Sequence, residues 1–127
     1  MLFRSAPNAT VMSWRGMAGG IEAAKLGHDV IMTPNTYVYF DYYQTADTKD
    51  EPDAIGGCIT LERVYSMEPV PEDLNAEEKK HIIGAQANLW CENIPTTKQV
   101  EYMVLPRMAA LAEVQWTLPE KDRKSVV

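Results

Sequence analysis

Residues 9–34 read ATVMSWRGMAGGIEAAKLGHDVIMTP, and the fold follows from them. Ala9-Thr10-Val11-Met12-Ser13-Trp14 is a short apolar, β-prone run that stops at Arg15-Gly16. Gly16 to Gly20 reads as a loop, and Ile21-Glu22-Ala23-Ala24-Lys25-Leu26 as a short helix. Gly27 follows where a chain leaves a helix through the left-handed region. Asp29-Val30-Ile31-Met32-Thr33 is a second strand, ended by Pro34. Strand, helix and strand in so short a span make a βαβ unit, whose strands are expected to be parallel and joined by a right-handed crossover.

Outward from this unit, residues 35–70 are irregular and carry Tyr37, Tyr39, Phe40, Tyr42 and Tyr43. Leu61 to Met67 offers a helical turn or two before Pro69-Val70-Pro71. A loop this long within a compact domain is usually functional, and its aromatic and acidic content suits a ligand. His81 to Trp90 reads as a third strand, with Gly84 and the bulky ending favouring strand over helix. Thr96 and Gln99 form a capping box for a last helix reaching about Trp116. Val100, Met103, Val104, Met108, Leu111 and Ala112 fall at helical spacing along it, and Pro106 should kink or split it. The order is β-α-β-loop-β-α. Three parallel strands cannot bury both faces and both edges of their own sheet. The expected class is therefore α/β, with about three of the eight units of a (β/α)8 barrel, whose complete form needs ~250 residues.

Composition narrows the function. An apolar fraction of 46% in 127 residues supports a core rather than disorder. Net charge is −6 and no basic cluster exists, which excludes a phosphate-backbone binder. Glu77-Glu78-Lys79-Lys80 is mixed in sign and reads as a solvated helical turn. Cys58 and Cys91 make no disulfide framework and have no zinc-ligand spacing, so two free, partly buried thiols are expected, with no metal and no cofactor. No apolar run approaches the ~20 residues of a membrane span. Met1 to Ser5 lacks the apolar region of an export signal.

In α/β barrels, working residues sit at the C-terminal ends of strands. The first strand ends at Trp14, the second leads to Tyr39-Phe40-Asp41, and the third ends at Trp90-Cys91-Glu92. Aromatic faces beside carboxylates suit a pyranose ring: an indole packs on its C–H face, and a carboxylate accepts from its rim hydroxyls. Strand alternation would send Trp90 and Glu92 to one side. Each residue also has an ordinary explanation. Trp14 could be a core tryptophan, Trp90 could be either, and Tyr39-x-Asp41 is unremarkable in a loop. Trp116 is expected to be structural, at core spacing on the last helix, and Glu113 solvated or ion-paired.

Taken together, Trp14-Arg15-Gly16, Tyr39-Phe40-Asp41-Tyr42-Tyr43-Gln44 and Gly84-Ala85-Gln86-Ala87-Asn88-Leu89-Trp90-Cys91-Glu92 resemble glycoside hydrolase family 20, the β-N-acetylhexosaminidases. Gly27-His28, Glu51-Pro52 before Ile55-Gly56-Gly57, and Val100-Glu101-Tyr102-Met103 through Pro106-Arg107 to Ala110-Leu111-Ala112-Glu113 extend the resemblance over residues 9–116. Residues 117–127 form a charged tail. The resemblance implies the C-terminal portion of a (β/α)8 catalytic barrel that removes terminal β-linked N-acetylglucosamine or N-acetylgalactosamine with retention. The family is an exception to the two-carboxylate scheme, because the substrate's own acetamido oxygen attacks the anomeric carbon.

By the same resemblance Tyr39 steadies the acetamido oxygen, Trp14 walls the acetamide pocket, Trp90 lies under the ring, and Asp41 and Glu92 bind its C4 and C6 hydroxyls. The family's general acid and its Asp partner belong to an earlier strand. Asp50-Glu51 is this chain's sole Asp-Glu dipeptide, and it lies in a polar loop where nothing would desolvate the Glu to raise its pKa. It is rejected as the catalytic pair. The arginine that grips the sugar rim is also missing, with nothing to place Arg4 or Arg15 in that role. The expectation is a fragment that holds the sugar wall and is inactive alone. The alternatives are a non-catalytic sugar-binding module and a fragment that self-associates through exposed strands. The partners implied are N-acetylhexosamine-terminated glycans, with no nucleic acid and no membrane. Localisation stays open, since the family is often exported and no signal is visible.

Overall fold

A computed structural model describes residues 6–118. Its elements are β1 (Val11–Ser13), α1 (Ala18–Lys25), β2 (Val30–Met32), α2 (Leu61–Tyr65), α3 (Ala76–Lys79), β3 (Ile82–Ala85), α4 (Thr97–Val104) and α5 (Arg107–Trp116). The strands form one parallel sheet in the order β1-β2-β3, as the βαβ reading requires. Of the expected charged tail, only Thr117 and Leu118 fall within the described residues.

Close packing of α1 on the sheet explains its small residues. A Cβ at Gly20 would lie 2.7 Å from the Met32 sulfur and 3.0 Å from Ser13 Cβ, so any larger residue there would make Met32 and Ser13 shift. Ser13 Oγ accepts from the Gly20 N–H at 2.9 Å and donates to the Gly16 carbonyl at 2.7 Å, fixing the start of the helix. Gly27 has φ +82°, the left-handed exit expected of it. The core gathers Ala23, Ala24, Val30 and Met32 with Val38, Phe40 and Ile59 from the long loop, Val64 and Met67 around α2, and Ala110 and Leu111 of α5.

The third strand departs from expectation. Rather than running from His81 to Trp90, β3 stops at Ala85. The register slips between Val30↔Ile82 and Ile31↔Gly84, leaving Ile83 as an extra residue. Beyond Pro34 the chain that would continue β2 turns, with the Tyr37 and Val38 N–H groups both donating to the Pro34 carbonyl at 3.0 Å. Pairing resumes farther on. The Asn88 N–H donates to Val38 (2.9 Å) and the Phe40 N–H to Asn88 (2.7 Å), so residues 38–40 lie parallel to the stretch around Asn88.

The last helix also differs. The chain is extended at Leu105, and Pro106 separates α4 from α5. This break resets the helical phase. Met103 and Leu111 are buried as the spacing predicts, but Met108 is 53% exposed and Ala112 is on the surface. On α5 the inward face is Arg107, Ala110, Leu111 and Val114. Trp116 lies nine residues, two and a half turns, beyond Arg107 and therefore opposite it. At 89% exposure it is no core residue of the described chain. Glu113 is half-buried and accepts from the Tyr65 hydroxyl at 2.8 Å, tying α5 to α2.

The expected capping box at Thr96 is half made. Thr96 Oγ1 accepts from the Gln99 N–H, but the Gln99 amide reaches away to the Asp53 and Asn93 carbonyls, each at 3.0 Å. A complete box forms instead at Asn75 and Glu78, starting α3. Cys58 and Cys91 are free, as expected, but exposed rather than partly buried. Among the described residues no helix is long and apolar enough to cross a membrane.

Candidate functional site

Because all three strands are parallel, their C-terminal ends share one edge of the sheet. Trp14 follows β1 directly, and at 41% exposure it is not a core tryptophan. Its indole is stacked by the Arg15 guanidinium, 4.9 Å from the ring centroid. That is where the structure places Arg15; Arg4 lies outside the described residues.

Tyr39 and Asp41 sit on the segment that pairs with the stretch around Asn88. Tyr39 is buried, with its ring edge-on to Tyr42 at 5.7 Å. Asp41 is 4% exposed, and its Oδ1 has no hydrogen-bond partner among the described residues. Burial pushes its carboxyl above the ordinary aspartate value, and the negative charge of Glu92 adds to this. The main-chain amides of Asp41 and Trp90, and the charge of Arg107, pull the other way without cancelling it. Asp41, Trp90 and Glu92 are thus within electrostatic reach of one another.

Strand alternation does not orient Trp90 and Glu92. Both lie beyond the end of β3, Trp90 in irregular chain and Glu92 in a turn. The Trp90 main chain lies against the Asp41 carboxyl. Trp90 is 49% exposed and Glu92 is on the surface, whereas Asp41 is buried. Trp14 is at the same sheet edge but lines a different hollow, of about 340 Å3, around the start of α1. Glu92 lines one of about 470 Å3 with Asp53, Asn93 and Gln99. A further hollow of about 590 Å3, between β3 and α5, holds none of the sugar-facing candidates.

Asp50 is exposed, and both carboxylate oxygens of Glu51 accept from the Tyr102 hydroxyl at 2.8 Å. Glu51 thereby ties the long loop to α4.

Two residues stand out that sequence reasoning did not single out. Asn88 is buried; its Oδ1 accepts from Gln86 at 2.8 Å and its Nδ2 has no partner among the described residues. Arg107 is fully buried. Its guanidinium donates to the carbonyls of Phe40 (2.7 Å), Tyr42 (3.0 Å), Ile59 (3.0 Å) and Met103 (2.6 and 3.2 Å). Burial lowers its pKa from 12.5 to about 10, partly offset by the charge of Asp41, so it remains protonated at neutral pH. A usable signal existed, because Arg107 occupies the apolar stripe with Ala110, Leu111 and Val114 once the helix is restarted after Pro106.

The chain is similar to known proteins in sequence and in fold. The chain is 51% identical over 119 residues to a β-hexosaminidase of Porphyromonas gingivalis, an alignment spanning 92% of this chain and 15% of that protein. It superposes on the family 20 exo-β-N-acetylglucosaminidase of Vibrio harveyi in complex with N-acetylglucosamine with a TM-score of 0.75 and 31% identity, over 89% of this chain and 18% of that one. For the Streptomyces plicatus N-acetyl-β-hexosaminidase in complex with Thio-NAglucal the TM-score is 0.73 and the identity 29%, covering 87% and 23%. The chain therefore spans less than a quarter of each of these relatives. The sequence pattern of glycosyl hydrolase family 20, catalytic domain, matches residues 2–119, nearly the whole chain. By this match the chain belongs to glycosyl hydrolase family 20.

Proposed function

We propose that this chain forms the closing units of a (β/α)8 catalytic barrel and supplies the substrate wall of a β-N-acetylhexosaminidase acting on terminal β-linked N-acetylglucosamine or N-acetylgalactosamine. The observation that carries the proposal is Asp41: a buried carboxylate with an unpartnered Oδ1, at the C-terminal end of a parallel sheet, near the main chain of the exposed Trp90 and the charge of Glu92. Such an arrangement grips a polyhydroxylated ring with one apolar face. In this reading Asp41 and Glu92 take the ring hydroxyls, Trp90 supports the ring, and Trp14 walls the acetamide. Tyr39 steadies the acetamido oxygen as it attacks the anomeric carbon, so that no carboxylate nucleophile is needed. The general acid and its Asp partner come from a preceding part of a longer polypeptide, and the 127 residues alone do not turn over.

The test exchanges residues 9–116 into the matching stretch of the P. gingivalis relative, giving an exchange enzyme assayed on p-nitrophenyl N-acetyl-β-glucosaminide. The exchange enzyme is expected to hydrolyse it and the isolated chain not to. Asp41→Asn should lower kcat/KM by about 10- to 100-fold, the range of one or two charge-assisted hydrogen bonds. Hydrolysis by the isolated chain, or an Asp41→Asn exchange enzyme as active as its parent, would end the reading. The outer edges of β1 and β3, both unpaired in the described sheet, support association between copies of the isolated chain. Light scattering should then show species larger than a monomer, and a clean monomer at high concentration would exclude it.

A further inference from the structure

Arg107 is a charged side chain with no exposure, and among the described residues its guanidinium donates to main-chain carbonyls. The choice of carbonyls matters. Phe40 and Tyr42 are the residues on either side of Asp41. Ile59 lies at the far end of the same long loop, next to the Tyr43↔Cys58 bridge, and Met103 belongs to α4. The guanidinium also stands 4.9 Å from the Phe40 ring centroid. One planar group thus holds both shoulders of the Asp41 segment, the loop's return and the preceding helix. Lysine offers three donors at a single point and could not span them.

An apolar side chain would fill the same space without the cost of burying a charge. The chain keeps the charge where its field falls on Asp41. We infer that Arg107 is a positioning residue for the sugar site: by fixing the carbonyls that flank Asp41, it sets the direction of that carboxylate and so selects substrates whose hydroxyls meet it. This inference rests on the role proposed above for Asp41.

The test is a double-mutant cycle in the exchange enzyme, with Arg107→Lys and Asp41→Asn measured singly and together for kcat and KM. If Arg107 acts through Asp41, Arg107→Lys raises KM about tenfold when Asp41 is present, with kcat changed by less than about twofold. In the Asp41→Asn background it should shift KM by less than about twofold, since coupled residues are non-additive. Equal losses in both backgrounds overturn the inference while leaving the sugar-site reading intact. An Asp41→Asn change without effect removes that reading, and this inference with it. Should Arg107→Lys not fold by circular dichroism, Arg107→Gln takes its place in the cycle. If neither folds, Arg107 serves the fold alone and the inference is wrong.

Discussion

Gly57 offers a way to disturb the site from outside it. Its φ is +66°, and a Cβ there would lie 2.5 Å from Cδ2 and 2.8 Å from Cε2 of Tyr42. Tyr42 is half-buried, its ring meets Tyr39 edge-on, and its carbonyl is held by Arg107, so it has little room to retreat. Gly57→Ala therefore carries two costs. Left-handed backbone costs an L-residue about 1–2 kcal/mol, and forcing an extra methyl into filled space costs about 1–3 kcal/mol more. The sum is about 2–5 kcal/mol, a large share of a typical domain's stability. Gly27→Ala separates the two, because Gly27 has φ +82° with nothing within 4 Å of the added Cβ. It should cost about 1–2 kcal/mol from backbone strain alone. Urea unfolding of the chain, followed by tryptophan fluorescence, measures both. In the exchange enzyme, Gly57→Ala should also raise KM through the Tyr42–Tyr39 contact, while Gly27→Ala leaves KM unchanged. Equal losses of stability for the two variants would refute the packing argument, and an unchanged KM for Gly57→Ala would refute its route to Tyr39.

Three further outcomes follow from the same contacts. The folded chain holds the Asp41 proton to a higher pH than the unfolded chain does, so any stability linked to Asp41 is greatest below its ordinary value of 3.8 and falls as pH rises through the raised one. Asp41→Asn should accordingly be at least as stable as the parent at pH 7, with the difference gone below pH 3.8, read from urea midpoints; Arg107 and Glu92 are the charges that face Asp41 and are unchanged by the substitution. Tyr65→Phe removes the 2.8 Å bond to Glu113 and should cost about 1 kcal/mol. Desolvation and Glu113 push the Tyr65 hydroxyl up to about 12, so this contribution is whole below pH 10 and lost as pH rises towards 12; ultraviolet titration should lose its most alkaline tyrosine in the variant. Trp116→Ser should change the unfolding free energy of the chain, measured in urea, by no more than about 0.5 kcal/mol, as befits an exposed side chain; a loss of several kcal/mol would restore the core role that helical spacing suggested.

The βαβ unit was legible because its signals are local and agree with one another: two apolar runs, a short helix, and Gly27 and Pro34 as stops. The third strand was not. His81 to Trp90 reads as continuous, but the extra residue at Ile83 and the turn of the opposing chain after Pro34 end the ladder, and both depend on the partner strand. The site candidates were legible as residue types in order, whereas the approach of the Asp41 segment to Trp90 was not. It comes from pairing between residues 38–40 and Asn88, some fifty positions apart in the chain. Trp116 was misplaced because spacing was read across Pro106 as though one helix continued. Arg107 was passed over because a charged residue defaults to the surface, and four main-chain carbonyls leave no trace in a sequence.

Those misses share a cause. The side chains proposed to face the sugar stand on segments that lack a full ladder, and buried carbonyls there need donors from elsewhere. They find them largely on or near α4 and α5. Arg107 serves Phe40, Tyr42 and Ile59, while Gln99 bridges Asp53 and Asn93. In return Gln44 of the long loop donates to Tyr102 and Leu105 at the end of α4, at 2.6 and 3.2 Å. The aromatic and acidic residues that would meet a sugar therefore sit on the strand-end segments, and many of the groups that hold those segments sit on the last two helices. A chain ending at Thr96 would keep Trp14, Tyr39, Asp41, Trp90 and Glu92 and lose the donors of Gln99, Tyr102 and Arg107. On this argument the residues that define the wall are not sufficient to build it, because its geometry is set by helices that contribute no sugar-facing residue.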